Sequence, residues 1–548
     1  MLVKMKDWKF VLLISFFALY FLFFSVLYMD EVKLPSEEWS REIFIKEFNA
    51  TNVAQIMNSR NVTTLHLPEE NGFLTIYHEN GRLHTLQMDY GGRIVSEKTL
   101  EPEILESYKI KAWRDQDRIY LYSLENRTLQ GYVLDWKRGE IIRQKTMGEG
   151  IRDMELEENL LFFAGDQGLQ WTDGGEIHRA LENQVIEKLE VAKTDNLYHI
   201  AFVERKADSS KIVNYGLYNS EENSLTAQEI GNIPSGTSMS LSHIDIGAGD
   251  KDLYIIAVSI DNKFSSSTVE YFQFSKGRPE HVIRGNMNIN GYAPNPVILA
   301  VDQRDLTFIA TAETTKGNNK KVNNLVEFTF RDGEITDRKL LSKTDGLSVS
   351  PRWFTVGEDR YLQWIDVVGN KKRVMLAGDS PQLMEAAGSL RKDQWMKLFM
   401  DTTLGLVPIT YIASIPLVYT FVPVVILMFL GSMARLSWME QNTMKVLFAA
   451  VVMHTLAKLS FTNSAIFNNE SLGNVLPQFI KNPLVFGILF LLTTAIASYC
   501  VLDYTSKKGK PHFFSSYAFF AIIDIFLYSL LVLPYYYTYI TLAYFTKL

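Results

Sequence analysis

Three ionisable residues interrupt the apolar stretches near the end of this 548-residue chain: His454, Lys458 and Asp524. His454 and Lys458 are four residues apart, so they share one face if the segment is helical. A charged side chain in such a stretch is costly unless it pairs with another group or lines a polar path. We therefore expect Asp524 to pair with Lys458 or His454, either as a packing clamp or as a proton or ion relay.

Elsewhere the sequence contains none of the common catalytic or phosphate-binding motifs. Gly-x-Ser-x-Gly, His-Glu-x-x-His, Gly-x-x-x-x-Gly-Lys and Cys-x-x-Cys are all missing from it. His243, Asp245, Asp250 and Asp252 are crowded enough to suggest a calcium site, but acidic turn residues before a strand are the more common explanation. The sequence therefore assigns no catalytic, cofactor-binding or metal residue and favours a protein that is not an enzyme.

Charge is distributed unevenly along the chain. Segments 1–29 and 403–548 carry 11 of the 55 Lys and Arg residues and 5 of the 62 Asp and Glu residues, which leaves 44 basic and 57 acidic residues in between. This acidic middle argues against a nucleic-acid partner, which requires a clustered positive face. The single cysteine, Cys500, excludes an intrachain disulfide, and a large extracytoplasmic domain without disulfides favours a bacterial surface.

Residues 10–29 contain no charge and are long enough to cross a bilayer as a helix. Lys4, Lys6 and Lys9 precede this segment and acidic residues follow it, so the positive-inside rule places residues 1–9 in the cytoplasm and the following chain outside. A cleaved signal peptide is the alternative, but no small-x-small cleavage site ends the apolar run.

Four more membrane helices are predicted at about 404–431, 444–462, 483–503 and 514–533. If residue 403 is outside, the connection that holds Lys507, Lys508 and Lys510 falls in the cytoplasm, in agreement with the N-terminal charges. Two alternatives remain for this region. The last helix could continue to about Phe545, and Lys458 could extend to the outer interface rather than pair. A short helix around Leu383–Phe399 is predicted to lie on the outer surface.

Between residues 60 and 380 the pattern changes to short strands with alternating apolar residues, broken by turn residues. The strands recur in seven pairs, spaced by roughly 40 to 55 residues, the range of propeller blades. The predicted pairs are 73–77 with 83–88, 118–122 with a strand after Asn126, 160–163 with a strand after Gly168, 197–203 with 213–218, 253–258 with 269–274, 306–310 with 325–330, and 361–365 with 373–376.

These units resemble β-propeller blades, such as those in repeat ectodomains of bacterial membrane proteins. They lack the Gly-His…Trp-Asp signature and the double-glycine kelch pattern, so no particular family is indicated. Six or eight blades are close alternatives to seven, because residues 41–67 could supply a strand that closes the ring. A two-sheet β-sandwich is the main alternative fold.

The sequence thus predicts an all-β, propeller-like ectodomain of about seven blades with an α-helical transmembrane bundle of one N-terminal and four C-terminal helices. Its domains are a cytoplasmic N-terminus (1–9), a transmembrane helix (10–29), the extracytoplasmic domain (30–402) and a four-helix membrane domain (403–548). This organisation favours a multi-pass cell-membrane protein that acts as a binding, scaffold or sensor protein. Its partners would be the lipid bilayer and another membrane or surface protein. A transporter or channel subunit and an extracellular enzyme with a site in the propeller channel are the alternatives.

Overall fold

The computed structural model describes residues 34–49, 61–79, 81–100, 107–233, 239–261, 263, 266–316, 320–388, 425–426, 429, 438, 441–462, 482–508 and 512–545. Residues Leu34–Thr314 and Lys321–Ser389 form one compact unit, in which nearly all regular structure is β-strand. The helices after residue 440 belong to a second unit.

Seven four-stranded antiparallel sheets, here called blades 1 to 7, follow one another in the first unit. Blades 1 to 3 are β2 (Val62–Leu67), β3 (Gly72–Glu79), β4 (Arg82–Asp89), β5 (Ile94–Thr99); β6 (Ser107–Asp115), β7 (Arg118–Glu125), β8 (Thr128–Asp135), β9 (Glu140–Glu149); β10 (Ile151–Glu157), β11 (Leu160–Gly165), β12 (Gly168–Thr172), β13 (His178–Leu181). Blades 4 to 6 are β14 (Val185–Thr194), β15 (Leu197–Arg205), β16 (Lys211–Asn219), β17 (Ser224–Ile233); β18 (Met239–Ala248), β19 (Asp252–Asp261), β20 (Ser266–Ser275), β21 (Ile283–Met287); β22 (Val297–Asp302), β23 (Asp305–Lys316), β24 (Lys320–Arg331), β25 (Glu334–Leu340).

Blade 7 is built from both ends of the unit. Its first three strands are β26 (Leu347–Val356), β27 (Asp359–Val368) and β28 (Lys371–Gly378), and its fourth is β1 (Ile43–Asn49), which pairs antiparallel with β28. A single parallel residue pair, Asn323 with Leu347, joins blades 6 and 7 into one continuous sheet.

Each blade buries both faces of its central strands against its two neighbours. On β19, Leu253, Ile255 and Ala257 belong to the apolar core shared with blade 4, whereas Tyr254, Ile256 and Val258 belong to the core shared with blade 6. Seven such cores lie between successive blades, and the last one joins blade 7 to blade 1. The cores therefore form a closed circle, and the unit is a β-propeller.

The structure confirms the predicted propeller and excludes the β-sandwich. The seven predicted strand pairs are the two central strands of the seven blades. The closing strand expected within residues 41–67 is β1, although it completes the seventh blade and does not add an eighth. Glu79 pairs with Arg82 across the hairpin, and Gly81 has a φ of 78°, as predicted for the glycine of this Asn-Gly sequence.

Helix α1 (Pro381–Gly388) follows β28 directly. The predicted surface helix around Leu383–Phe399 is wrong at this point, because the side chains of Leu383 and Ala387 are buried in the core between blades 7 and 1. Residues 389–399 lie outside the described part of the chain.

Three longer helices are described in the second unit: α2 (Thr443–Thr462), α3 (Pro483–Lys508) and α4 (Phe513–Phe545). Two of them, α2 and α3, contain segments long and apolar enough to span a membrane, and α4 contains a shorter apolar segment, Phe513–Ser529. Of the two ends left open for the last helix, the structure has the later one, since α4 continues through Pro534 to Phe545. The helices predicted at 10–29 and 404–431 lie outside the described residues, apart from isolated positions of the second.

Closure of the propeller by β1 predicts a sharp difference between two neighbouring residues. Ile45 is 3% exposed and packs in the core between blades 7 and 1, whereas Phe44 is 42% exposed. Ile45→Ala is expected to lower the free energy of unfolding by about 2–5 kcal/mol because it leaves a cavity. Phe44→Ala, the matched control, is expected to change it by less than about 1 kcal/mol.

Both variants are compared in denaturant titrations of the detergent-solubilised chain, followed by tryptophan fluorescence. Equal losses in the two variants would show that β1 is not packed into the propeller as described.

Candidate functional site

The predicted cluster near the C-terminus lies among three helices. His454 and Lys458 are on α2, Asp524 is on α4, and all three side chains are fully buried. Lys458 Nζ lies 2.8 Å from both carboxylate oxygens of Asp524, and His454 Nε2 lies 3.0 Å from Oδ2. The structure therefore brings together all three residues selected from the sequence.

Hydroxyl groups complete this cluster. Thr493 and Thr494, on α3, donate to Asp524 Oδ1 at 3.3 and 3.2 Å, and Tyr517 lies 3.1 Å from His454 Nδ1. Sequence reasoning missed these three residues, because hydroxyl side chains are common in apolar helices and carry no charge signal. Asp524 has several donors on each oxygen, so its capacity as an acceptor is largely used within the protein.

A second group of ionisable residues converges at the axis of the propeller. There the innermost strands surround a cavity of about 310 Å³, to which every blade contributes. Its lining residues are Thr64, Lys109, Lys111, Glu155, Glu190, His243, Asp245, Asn295, Val297, Ser350, Pro351, Arg352, Trp353 and Phe354. We call this space the axial cavity.

Blades 2 and 3 are joined beside the cavity by buried ion pairs. Lys109 Nζ lies 2.9 Å from Asp153 Oδ1 and also contacts Glu155, which in turn pairs with Lys111. Burial acts to raise the pKa of Glu155, but the ammonium groups of Lys109 and Lys111 outweigh it and hold that pKa below its ordinary value. Glu155 is thus kept ionised at the edge of the cavity.

Two carboxyls on the next two blades, blades 4 and 5, have pKa values shifted in the opposite direction. Burial, reinforced by the negative charge of Glu155, raises the pKa of Glu190 well above its ordinary value and that of Asp245 to about 7. Asp245 also accepts backbone hydrogen bonds from Ile246 at 2.9 Å and from Ile298, in the next blade, at 2.6 Å. It therefore serves to hold blades 5 and 6 together as well as to line the cavity.

Of the four residues considered for calcium, only His243 and Asp245 line the axial cavity. Asp252 begins β19 and accepts a hydrogen bond from Ser275 Oγ at 2.8 Å. Within the described residues, no group of three or more His, Cys, Asp or Glu side chains is arranged to hold a metal ion.

The other charged residues of the cavity were missed by sequence reasoning, although a signal was present. Charged or polar residues alternate along several strands that open a blade, as in Lys109-Ile110-Lys111, Asp153-Met154-Glu155 and His243-Ile244-Asp245. Such alternation also describes a strand whose polar face meets solvent. Only the closure of the ring shows that these faces meet one another.

Comparisons with known proteins identify no family. No family model and no curated protein matches the sequence. Among solved structures, the chain is similar to the polysaccharide lyase Uly1, with 9% identity, 62% of this chain and 98% of that chain covered, and a TM-score of 0.41. It is also similar to the Dos1 propeller (10% identity, 62% and 95% covered, TM-score 0.40) and to Saccharomyces cerevisiae Sqt1 (11% identity, 61% and 98% covered, TM-score 0.33).

The ion pairs beside the axial cavity predict unequal effects of two lysine substitutions. The side chain of Lys109 is 3% exposed and that of Lys111 is 27% exposed, and both contact Glu155. Lys109→Met is expected to lower the free energy of unfolding by about 3–5 kcal/mol, because Asp153 is left buried without its cation. Lys111→Met is expected to cost under about 1 kcal/mol. Thermal and denaturant unfolding of the two variants measures the difference, and comparable losses would contradict the described pairing.

The helical cluster gives a further prediction. Lys458→Met leaves the Asp524 carboxylate buried without a full counter-charge, so it should strongly reduce the amount of folded protein in the membrane fraction. Adding Asp524→Leu should restore much of that amount, since an apolar pair can replace a buried ion pair. Lys445→Met, at the exposed start of α2, is the control and should have little effect. A normal level of folded Lys458→Met protein would exclude the packing clamp.

Proposed function

We propose that this chain is a membrane-anchored binding protein that presents its propeller outside the cytoplasm as a scaffold or sensor. The observation that carries the proposal is the inverted polarity of the helical unit. Its charged cluster of His454, Lys458 and Asp524 is fully buried, while large apolar side chains on the same helices are exposed. The most exposed include Phe448, Leu456, Leu484, Ile488 and Ile522.

Such an arrangement suits a lipid environment. In water, exposed apolar area is unfavourable and charges favour the surface. In a bilayer the outward apolar surface meets hydrocarbon, and the few ionisable residues pair inside the bundle. The helical unit therefore supports the predicted membrane association independently of hydropathy along the sequence.

The ends of the helices support the predicted orientation. Val446 near the start of α2, Val501 near the end of α3 and Phe513 at the start of α4 share one apolar core. The same end of the unit therefore carries the exposed residues Lys445 and Lys507. By the positive-inside rule this is the cytoplasmic end. Alternation of the helices predicted from the sequence then assigns residues 30–402 to the opposite side.

The propeller supports the binding role because it offers a rigid frame around a polar cavity. Seven interlocked blades hold loops and inner strands in fixed positions, which is the usual setting for recognition sites. We expect a protein partner in the membrane or at the cell surface, and co-purification in mild detergent would identify it.

An enzyme that acts at the axial cavity is the second candidate. A carboxyl whose pKa is about 7, as burial makes that of Asp245, can donate or accept a proton at neutral pH. The lining residues indicate no particular reaction. A transporter or channel subunit remains the third candidate, but the several donors to Asp524 favour a clamp over a relay.

Two matched substitutions test the orientation. Ser209 lies in the exposed turn between β15 and β16, and Ser506 is exposed near the end of α3. In a Cys500→Ser background, Ser209→Cys is expected to react with a membrane-impermeant maleimide in intact cells, whereas Ser506→Cys should react only after permeabilisation. Labelling of both cysteines from the same side would contradict the proposed topology.

A further inference from the structure

The charges around the axial cavity do not balance when all its carboxyls are ionised. Three cations and four carboxyls lie on or directly beside its wall: Lys109, Lys111, Arg352, Asp153, Glu155, Glu190 and Asp245. Two of the lysines are already engaged by Asp153 and Glu155. The remaining carboxyls, Glu190 and Asp245, are on the adjacent blades 4 and 5 and repel each other.

The titratable groups around the cavity lie on five blades. Glu190 is on β14, and Asp245 and His243 are on β18. The other charged residues around the cavity are Glu155 on β10, the strand next to β14, Lys109 and Lys111 on β6, and Arg352 on β26. Lys188 precedes Glu190 on β14 but does not line the cavity. Among the groups on or beside the wall, the carboxyls thus outnumber the cations by one, and a proton or a bound cation would balance the charge.

The part of the wall that blade 7 contributes is aromatic. Trp353 and Phe354 of β26 line the cavity, and Trp353 is held in place by parallel stacking on the buried ring of Trp39, with centroids 5.8 Å apart. Aromatic faces attract organic cations and pack against apolar groups. The cavity volume, about 310 Å³, is at the lower end of the range of small-molecule sites.

We propose that the axial cavity binds a small organic cation, whose ammonium or guanidinium group pairs with Glu190 and Asp245 and whose apolar part packs against Trp353 and Phe354. A bare metal ion fits less well, because the described residues hold no group of ligands arranged for one. This inference deepens the binding role proposed above and rests on it.

Competition with a proton gives the site a pH dependence. The cation binds the ionised wall, and since burial raises the pKa of Asp245 to about 7, the wall loses negative charge as the pH falls below that value. Affinity should therefore decrease about tenfold between pH 8 and pH 6. His243 also lines the cavity, so His243→Gln is included as a control and should retain most of the decrease.

The probe is benzylammonium, and benzyl alcohol is its neutral counterpart of nearly the same shape. Binding to the full chain in detergent is measured by isothermal titration calorimetry at pH 8 and pH 6. We expect benzylammonium to bind at least about tenfold more tightly than benzyl alcohol, and Glu190→Gln to lower its affinity by about tenfold. Glu187→Gln is the control, because Glu187 lies on the same strand but pairs with Arg205 and Lys211 away from the cavity.

Thermal unfolding of each variant shows whether it is folded, and the pH comparison on the unsubstituted chain needs no variant. The proposal is wrong if benzylammonium does not bind, if benzyl alcohol binds equally well, if affinity is the same at both pH values, or if calcium binds in its place. These outcomes do not affect the orientation experiment. Binding is measured on purified protein in detergent, whereas orientation is measured in intact cells.

Discussion

The pairing of β1 with β28 is the contact on which the propeller depends. Without it, blade 7 would expose the outer edge of β28, and the core between blades 7 and 1 would lose Ile43, Ile45 and Phe48. Side chains reinforce the pairing, because Glu47 accepts from Lys371 at 2.6 Å and from Arg373 at 2.7 Å. The residues before β1 are also fixed, since Trp39 Nε1 donates to Leu341 O at 3.0 Å. Closure keeps all seven innermost strands around one axis, and so creates the axial cavity.

The central strands could be predicted because their burial is visible in the sequence. Strand β19 is buried on both faces and reads as the continuous apolar run Leu253–Val258, which few other environments tolerate. The outermost strands could not be predicted with the same certainty. Strand β5, for example, exposes Ile94 and Val95 and carries polar residues beyond them, so its pattern is close to that of a loop.

The charged cluster of the helical unit could be predicted from the sequence, whereas most of the charged residues of the axial cavity could not, for a related reason. His454, Lys458 and Asp524 stood out because ionisable residues are rare in apolar helices. At the propeller axis, Lys109, Glu155 and Glu190 lie in polar surroundings where charged residues are ordinary. Their proximity follows from packing between separate blades, which no local pattern reports. Thr493, Thr494 and Tyr517 were missed for the same reason, because hydroxyl side chains are common in apolar helices and do not stand out there.

Closure through β1 also affects how the chain acquires its structure during synthesis. Glu47 and its partner Lys371 are separated by 324 residues, so β1 is translated long before the strand that receives it. Blades 1 to 6 consist of consecutive strands and can assemble in order as they emerge from the ribosome. Strand β1, in contrast, keeps unpaired backbone groups until the β27–β28 hairpin has been synthesised. Contacts between such distant residues slow folding, and a waiting strand edge is open to pairing with other chains. Nearly the whole propeller therefore has to be synthesised before β1 can pair with β28. Until then, β1 can aggregate through its unpaired edge.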